Sequence, residues 1–272
     1  MDTLAQKLII YDSDCRLCCS LKDLLLRITT IPAEQVIAYK KLPEALKAKI
    51  EEERFHNEMA LIDTGEEATL YGPRAIACIL SDRQPWLGKM LKWPPLFSLF
   101  TFLYRNIAYN RYQIITPRSR FQCDCFPENV LRYRISYVLI TMAITAGLLS
   151  LLSLAYPASV IQASQLLGAA ATVWLIQILA AMILLKDEAS VYLGHTGSLM
   201  VSGSILLMPA ALAGMLGFHS PYILLANAVF SGLYTIASHR KRSLFMGLRY
   251  AWTIGWAASL AAAALCWIYL YR

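Results

Sequence analysis

Two cysteines three residues apart, with an aspartate three residues before the first, are the part of this 272-residue chain best equipped for chemistry. They stand in the run Asp12-Ser13-Asp14-Cys15-Arg16-Leu17-Cys18. On a helix, residues at i and i+3 lie on one face, so the two thiols come within reach of each other. A thiol at a helix N-terminus meets unpaired backbone N–H groups and the positive end of the helix dipole, both of which favour the thiolate. Such a pair can cycle between dithiol and disulfide. The spacing suggests Cys15 as the attacking thiolate and Cys18 as the thiol that resolves the mixed disulfide. Cys15, nearer the helix start, is expected to be the more exposed of the two. Arg16 adds a positive charge that lowers the pKa of Cys15, and Asp14 is expected to cap the helix. Asp12 can accept or pass the proton of Cys18, while the neighbouring carboxylates oppose thiolate formation.

The elements around this run must hold the thiols where a strand becomes a helix. Residues 8–11 read as a buried strand, and residues 17–28 as an amphipathic helix with Leu21, Leu24, Leu25 and Ile28 on one face. Residues 36–39 form a second strand, and residues 44–54 a charged helix. Two further strands, 59–63 and 68–71, are joined by a short Gly-containing turn, which makes a hairpin. Pro73 fits the first turn of a helix running to about residue 80. The order strand, helix, strand, helix, strand, strand, helix is that of a thioredoxin-like α/β domain, and a CxxC beside such a pattern reads as a redox motif.

Other cysteines carry weaker signals. Cys19 and Cys78 read as small buried residues. Cys123-Asp124-Cys125 has three readings: a second redox pair that recharges the first, part of a metal site, or packing near the dithiol. Cys15, Cys18, Cys123 and Cys125 together would supply the four sulfurs of a closed tetrahedral zinc site.

Charge divides the chain near residue 134. Only six of the 25 Lys and Arg residues and two of the 18 Asp and Glu residues follow that point. The whole has a mean hydropathy of +0.48. Five apolar stretches, at 135–155, 158–185, 199–217, 222–237 and 245–269, are each near the ~20 residues that cross a bilayer. Loops that carry Arg118, Arg120, Arg132 and Arg134, then Lys186, then Arg240, Lys241, Arg242 and Arg249, alternate with loops that lack Lys and Arg. The positive-inside rule puts the basic loops and the N-terminal domain in the cytoplasm, with Arg272 outside. The first seven residues lack the apolar region and cleavage site of a signal peptide, so the N-terminal domain is expected to stay where it is made. The net charge of +7 lies largely beside apolar segments, which points to a membrane and away from nucleic acid. A stretch at 96–103, after Trp86, Trp93 and Pro94-Pro95, is short for a span and reads as a helix packed on the core or lying on the membrane. Cys266 is the one cysteine in the apolar half, too few for an intramolecular thiol relay through the membrane.

Several motifs, in order, resemble the DCC family of thiol-disulfide oxidoreductases. Asp12-x-x-Cys15-x-x-Cys18 after a strand is similar to its signature. Tyr71-Gly72-Pro73-Arg74-Ala75 sits where that family opens a helix. Tyr104-Arg105-Asn106, Asn110-Arg111-Tyr112 and Cys125-Phe126-Pro127 resemble its downstream elements. The resemblance covers roughly residues 7–132. It departs at Ser13, where the family usually has Gly. Unlike thioredoxins, the chain also has Glu58, not proline, before the third strand. The resemblance implies supporting or substrate-binding roles for Gly72, Pro73, Arg111 and Tyr112 beside the dithiol.

The expectation is therefore a thioredoxin-like domain over residues 1–132 and an all-α transmembrane bundle over 133–272. It would act as a membrane-tethered protein-disulfide reductase that needs no cofactor beyond its dithiol, with zinc as the alternative. The competing reading is a non-catalytic zinc-binding or redox-sensing module on a transport or lipid-handling domain. Expected partners are a protein or small-molecule disulfide and the lipid bilayer, with no nucleic acid; homo-oligomerisation stays open. The expected location is a membrane of the bacterial inner-membrane kind.

Overall fold

The structure, a computed structural model, describes residues 7–29, 31–65, 68–91, 93–117 and 126–270. The chain divides into two compact units, Met1–Tyr133 and Arg134–Arg272.

In the first unit, strands β1 (Lys7–Tyr11), β2 (Val36–Ala38), β3 (Ala60–Asp63) and β4 (Thr69–Tyr71) form one sheet in the order β2-β1-β3-β4. β1 pairs with β2 in parallel and with β3 antiparallel, and β3 pairs antiparallel with β4. This is the mixed sheet of the thioredoxin-like class, in the element order read from the sequence. Alternation decides the two faces. Ile9 and Leu61 pack with Leu25, Ile31, Ala75 and Ile79 on one side. Ile10, Ala60 and Ile62 pack with Leu42, Ile50, Phe55 and Tyr71 on the other.

The helices differ from expectation in three places. The charged helix at 44–54 is two short ones, α2 (Glu44–Lys47) and α3 (Glu52–Phe55), because Ile50 and Phe55 both turn into the core and break the helical path between them. Helix α1 (Arg16–Ile28) buries Leu25 and tucks in Leu21, but leaves Leu24 and Ile28 exposed at 51% and 37%. Its apolar face is only half covered. The stretch at 96–103 belongs to a longer helix, α6 (Pro94–Tyr109), after α4 (Gly72–Arg83) and α5 (Pro85–Leu91). Two prolines open α6, where their missing N–H groups cost no helical bond.

The second unit is helical: α8 (Leu131–Leu154), α9 (Ala163–Leu184), α10 (Ala189–Leu206), α11 (Met208–Met215), α12 (Pro221–Phe245) and α13 (Ala251–Leu270) follow the short α7 (Arg111–Ile114). Among the described residues, four stretches are long and apolar enough to cross a membrane, and the apolar part of α13, Ala251–Cys266, is a shorter fifth. Two boundaries move. The third span begins at Ala189, ahead of residue 199, because Gly194, His195, Thr196, Gly197 and Ser198 are buried inside the bundle. Buried polar residues lower the hydropathy of a segment without preventing it from spanning. Pro209 then separates α10 from α11, since it has no N–H for the helical ladder. Arg240, Lys241 and Arg242, expected in a loop, lie in the last turns of α12.

Candidate functional site

β1 ends at Tyr11, and the chain turns through Asp12, Ser13 and Asp14 into α1. Cys15 is the N-cap of α1: its backbone is extended, and its Sγ accepts the N–H of Cys18 at 3.3 Å. The thiol thus takes the place of the usual capping oxygen and gains from a donor that the helix leaves unpaired. Asp14, expected as the cap, instead donates its own N–H to Asp12 Oδ1 at 2.9 Å and forms an ion pair with Lys40 at 2.6 Å. The reason is reach, since the turn spends Asp14 on closing an Asx loop with Asp12.

Donor atoms of Asp12, Cys15 and Cys18 all lie within 4.8 Å of one another. Their environments differ. The Cys15 thiol is held down to about 7 by the hydrogen bond from the Cys18 thiol, with the Cys18 N–H and the Arg111 guanidinium adding to it against burial and Asp12. Cys18 is pushed well above the ordinary thiol range, because its thiol serves as donor to Cys15 and because it is desolvated. Burial raises the carboxyl of Asp12, against the Asp14 N–H and Arg111. One thiol is therefore acidic and its neighbour holds the proton, the division of labour that disulfide exchange uses.

Access runs against expectation. Cys15 is buried, at 2% exposure, and Cys18 is the more open of the two. A cap position points its side chain back across the first turn, so the sulfur that gains the N–H is also the one the turn covers.

Arg16, expected to lower the Cys15 pKa, is exposed on the helix surface, and a buried cation stands out in acting on the thiol. That role falls to Arg111, buried at the start of α7. Its guanidinium donates to the carbonyl of His56 at 2.8 Å and stands 3.7 Å from Asp12 Oδ2. Tyr112, also buried, donates its hydroxyl to Asp12 Oδ2 at 3.4 Å, and Phe126 meets its ring edge-on. The fold thus brings Asp12, Cys15, Cys18, Arg111 and Tyr112 together.

Gly72 and Pro73 open α4 nearby. Gly72 has a φ of +51°, and a Cβ there would run into the Glu58 carboxylate and the Tyr104 ring. Glu58 is buried and accepts from Arg105 Nε at 3.0 Å. Gly72 is thus a backbone requirement that lets Glu58 sit close, and its N–H donates to the carbonyl of Met59 at 2.9 Å. Met59, just ahead of β3, donates its N–H to the Tyr104 hydroxyl at 3.2 Å. Glu58, Met59 and Tyr104 are absent from the expected site residues; the sequence signals were Glu58 standing before the third strand in place of proline and the Tyr104-Arg105 element, and no spacing ties the two together.

Cys19 is only half-buried and donates its thiol weakly to the Ser13 carbonyl at 3.5 Å. Cys78 lies against the sheet on α4, half-buried. Cys123 and Cys125, with Arg118 and Arg120, fall outside the described residues.

Beside Cys18 runs a half-open groove of about 590 Å³. Leu17, Leu21 and Leu24 of α1 and Phe100, Leu103 and Ile107 of α6 line it. Cys18, Asp12, Met59, Tyr104 and Arg111 border it as well.

Residues 9–116 match the family model of DCC1-like thiol-disulfide oxidoreductases, and membrane-capable helices follow that stretch. No curated protein and no solved structure matches the chain.

Proposed function

We propose that the protein is a membrane-tethered disulfide reductase whose Cys15 thiolate attacks and whose Cys18 resolves. The observation that carries this reading is the asymmetry of the pair: Cys15 is held at about 7 at a helix N-cap while Cys18 keeps its proton. In the first step the Cys15 sulfur bonds to one sulfur of the substrate disulfide, the substrate S–S bond breaks, and one thiolate leaves and is protonated. Cys18 then loses its proton and attacks Cys15. The second substrate thiol is released, and Cys15 and Cys18 are left as a disulfide. Asp12 lies within reach of Cys18 and is the base we assign to that proton, its raised carboxyl pKa bringing it nearer to the thiol it must serve. Arg111 favours both thiolates as they form.

The alternation of basic and uncharged loops supports a cytoplasmic DCC1-like domain. That compartment keeps thiols reduced, which favours reduction of a partner over installation of a disulfide. Lipid contact through the membrane-capable helices and a disulfide-bearing partner follow from the same reading. The test is single-turnover reduction of a disulfide by the fully reduced protein, with thiol release and the redox state of Cys15 and Cys18 followed together. Stoichiometric release with Cys15–Cys18 oxidation supports the reading. Release without oxidation of that pair contradicts it.

A zinc-holding role is the second reading, because Asp12, Cys15 and Cys18 already offer three donors within 4.8 Å of one another. A closed site needs a fourth. Metal that co-purifies with the chain and is lost in Cys15→Ser and Cys18→Ser variants would favour it over the redox reading.

A further inference from the structure

The groove beside Cys18 is a candidate substrate site in its own right, and its chemistry restricts what can lie in it. Its walls are the uncovered apolar face of α1 and the facing side of α6. Leu24, Leu103 and Ile107 remain 51%, 47% and 50% exposed. Isolated exposed leucines need no explanation, but these converge on one concave surface that ends at Cys18, whose neighbour is Cys15. Its volume falls in the range of sites that hold one small organic ligand.

Among the polar groups at its border, Ser20 is exposed at the rim and Lys22 pairs with Asp23, while others are committed within the protein. Glu58 accepts from Arg105, Asn57 accepts the N–H of Glu128, Arg111 donates to the carbonyl of His56, and the Tyr104 hydroxyl accepts the N–H of Met59. A peptide laid along α1 and α6 would bring a donor and an acceptor per residue against leucine and phenylalanine side chains. Those backbone groups would lose water and find little in exchange. An alkyl or aryl arm has no such groups to satisfy. Its burial is favourable at each methylene. The tether supports the same choice, since a protein held at a bilayer meets molecules that partition into it.

We propose that the substrate is a small disulfide carrying an apolar arm, and that the groove binds this arm so as to present the S–S bond to the Cys15–Cys18 pair. This rests on the reductase reading above. The chemistry balances as written there: one apolar disulfide and two protein thiols yield two apolar thiols and the Cys15–Cys18 disulfide, with two electrons passing to the substrate. A dithiol reductant must restore the pair before a second turnover.

The experiment uses the full chain in lipid nanodiscs, reduced in advance with a small dithiol that is then removed. Second-order rates of single-turnover reduction are measured for dihexyl disulfide, bis(2-hydroxyethyl) disulfide and a water-soluble disulfide-bonded peptide. Each rate is divided by that of a free dithiol in the same nanodiscs, which cancels partitioning and intrinsic reactivity. The expected ratio favours the hexyl compound by at least about tenfold, the factor that burial of about two methylenes provides. Leu103→Lys and Leu24→Lys, both at exposed positions, are expected to bring that ratio down toward one. Equal corrected rates for the hexyl and hydroxyethyl compounds, with Cys15–Cys18 oxidised in both, would overturn the apolar-arm proposal and leave the reductase reading standing. A faster corrected rate for the peptide would overturn it in favour of a protein substrate. Failure of all three to oxidise the pair would overturn both.

Discussion

Each unit holds a buried polar cluster among its described residues, and the two do opposite things with similar side chains. In the first, Asp12, Arg111 and Tyr112 surround a thiol pair beside a groove. In the second, Gln177, Tyr192, His239 and Ser259 sit in the helical bundle. There Gln177 Nε2 donates to Ser259 at 3.1 Å, Tyr192 donates to Gln177 Oε1, and His239 Nε2 meets the Tyr192 hydroxyl at 3.0 Å. Ser243 reaches His239 Nδ1 at 3.1 Å, and the Trp256 ring stacks on the imidazole. Each member of this chain satisfies the next, which ties α9, α10, α12 and α13 together. The first cluster is satisfied differently. Its charges are arranged so that two chemically identical thiols acquire different affinities for a proton. In the bundle these polar groups bond helix to helix, whereas at the strand-to-helix turn they surround two thiols and set them apart in acidity. The feature that separates them is a reactive atom next to an open apolar surface.

The largest effect that sharpens this contrast is expected from Cys15→Ser. Single-turnover disulfide reduction should fall to background, and Cys18→Ser should instead accumulate a mixed disulfide on Cys15, visible by intact mass. Full activity in Cys15→Ser would end the role assignment. Next comes Arg111→Met, which leaves the Asp12 carboxylate buried without its 3.7 Å cation. Removal of one partner of such a pair costs about 3–5 kcal/mol, measurable by denaturant unfolding of the N-terminal unit's signal. The same variant should move the alkylation midpoint of Cys15 upward, because Arg111 is one of the groups that lower it. Gly72→Ala is expected to cost about 1–2 kcal/mol from the left-handed backbone alone, and more as its Cβ displaces Glu58. An unchanged melting temperature would contradict the close approach of Glu58. The smallest effect belongs to the bundle. Gln177→Leu should lower stability by about 1 kcal/mol, in keeping with hydrogen bonds between membrane helices, and leave disulfide reduction unchanged. Loss of reduction in that variant would mean that the second cluster does more than pack.

What could be read from residues alone followed from periodicity and local spacing. The apolar run at residues 8–11 and the CxxC after it were enough to put the dithiol at the head of α1, and the order of strands and helices was enough for the fold class, while the strand pairing came from the structure. Local neighbours misled where the fold supplies a stronger partner from afar. Arg16, adjacent to Cys15, points to solvent, and the cation that stands out is Arg111, far along the chain. Asp14 has the side chain of a cap, but the turn that delivers Cys15 to the cap position uses Asp14 elsewhere. The amphipathic face of α1 was legible, yet nothing in its spacing says that only Leu21 and Leu25 find the core while Leu24 borders a groove. In the bundle, hydropathy marked the spans but placed the start of α10 ten residues late, because buried serine, threonine and histidine imitate a loop.

The measurement that tests the account most directly is the pH dependence of iodoacetamide alkylation of the reduced protein, resolved cysteine by cysteine by peptide mass mapping. The thiolate is the reactive form, so a thiol with a lowered pKa gains reactivity as pH rises through that lowered value. The account predicts that Cys15 reactivity rises with a midpoint near 7, while Cys18 stays protonated well past the pH at which ordinary thiols react. If Cys15 and Cys18 instead rise together near 9, the pair is not asymmetrically activated, and the central claim is wrong.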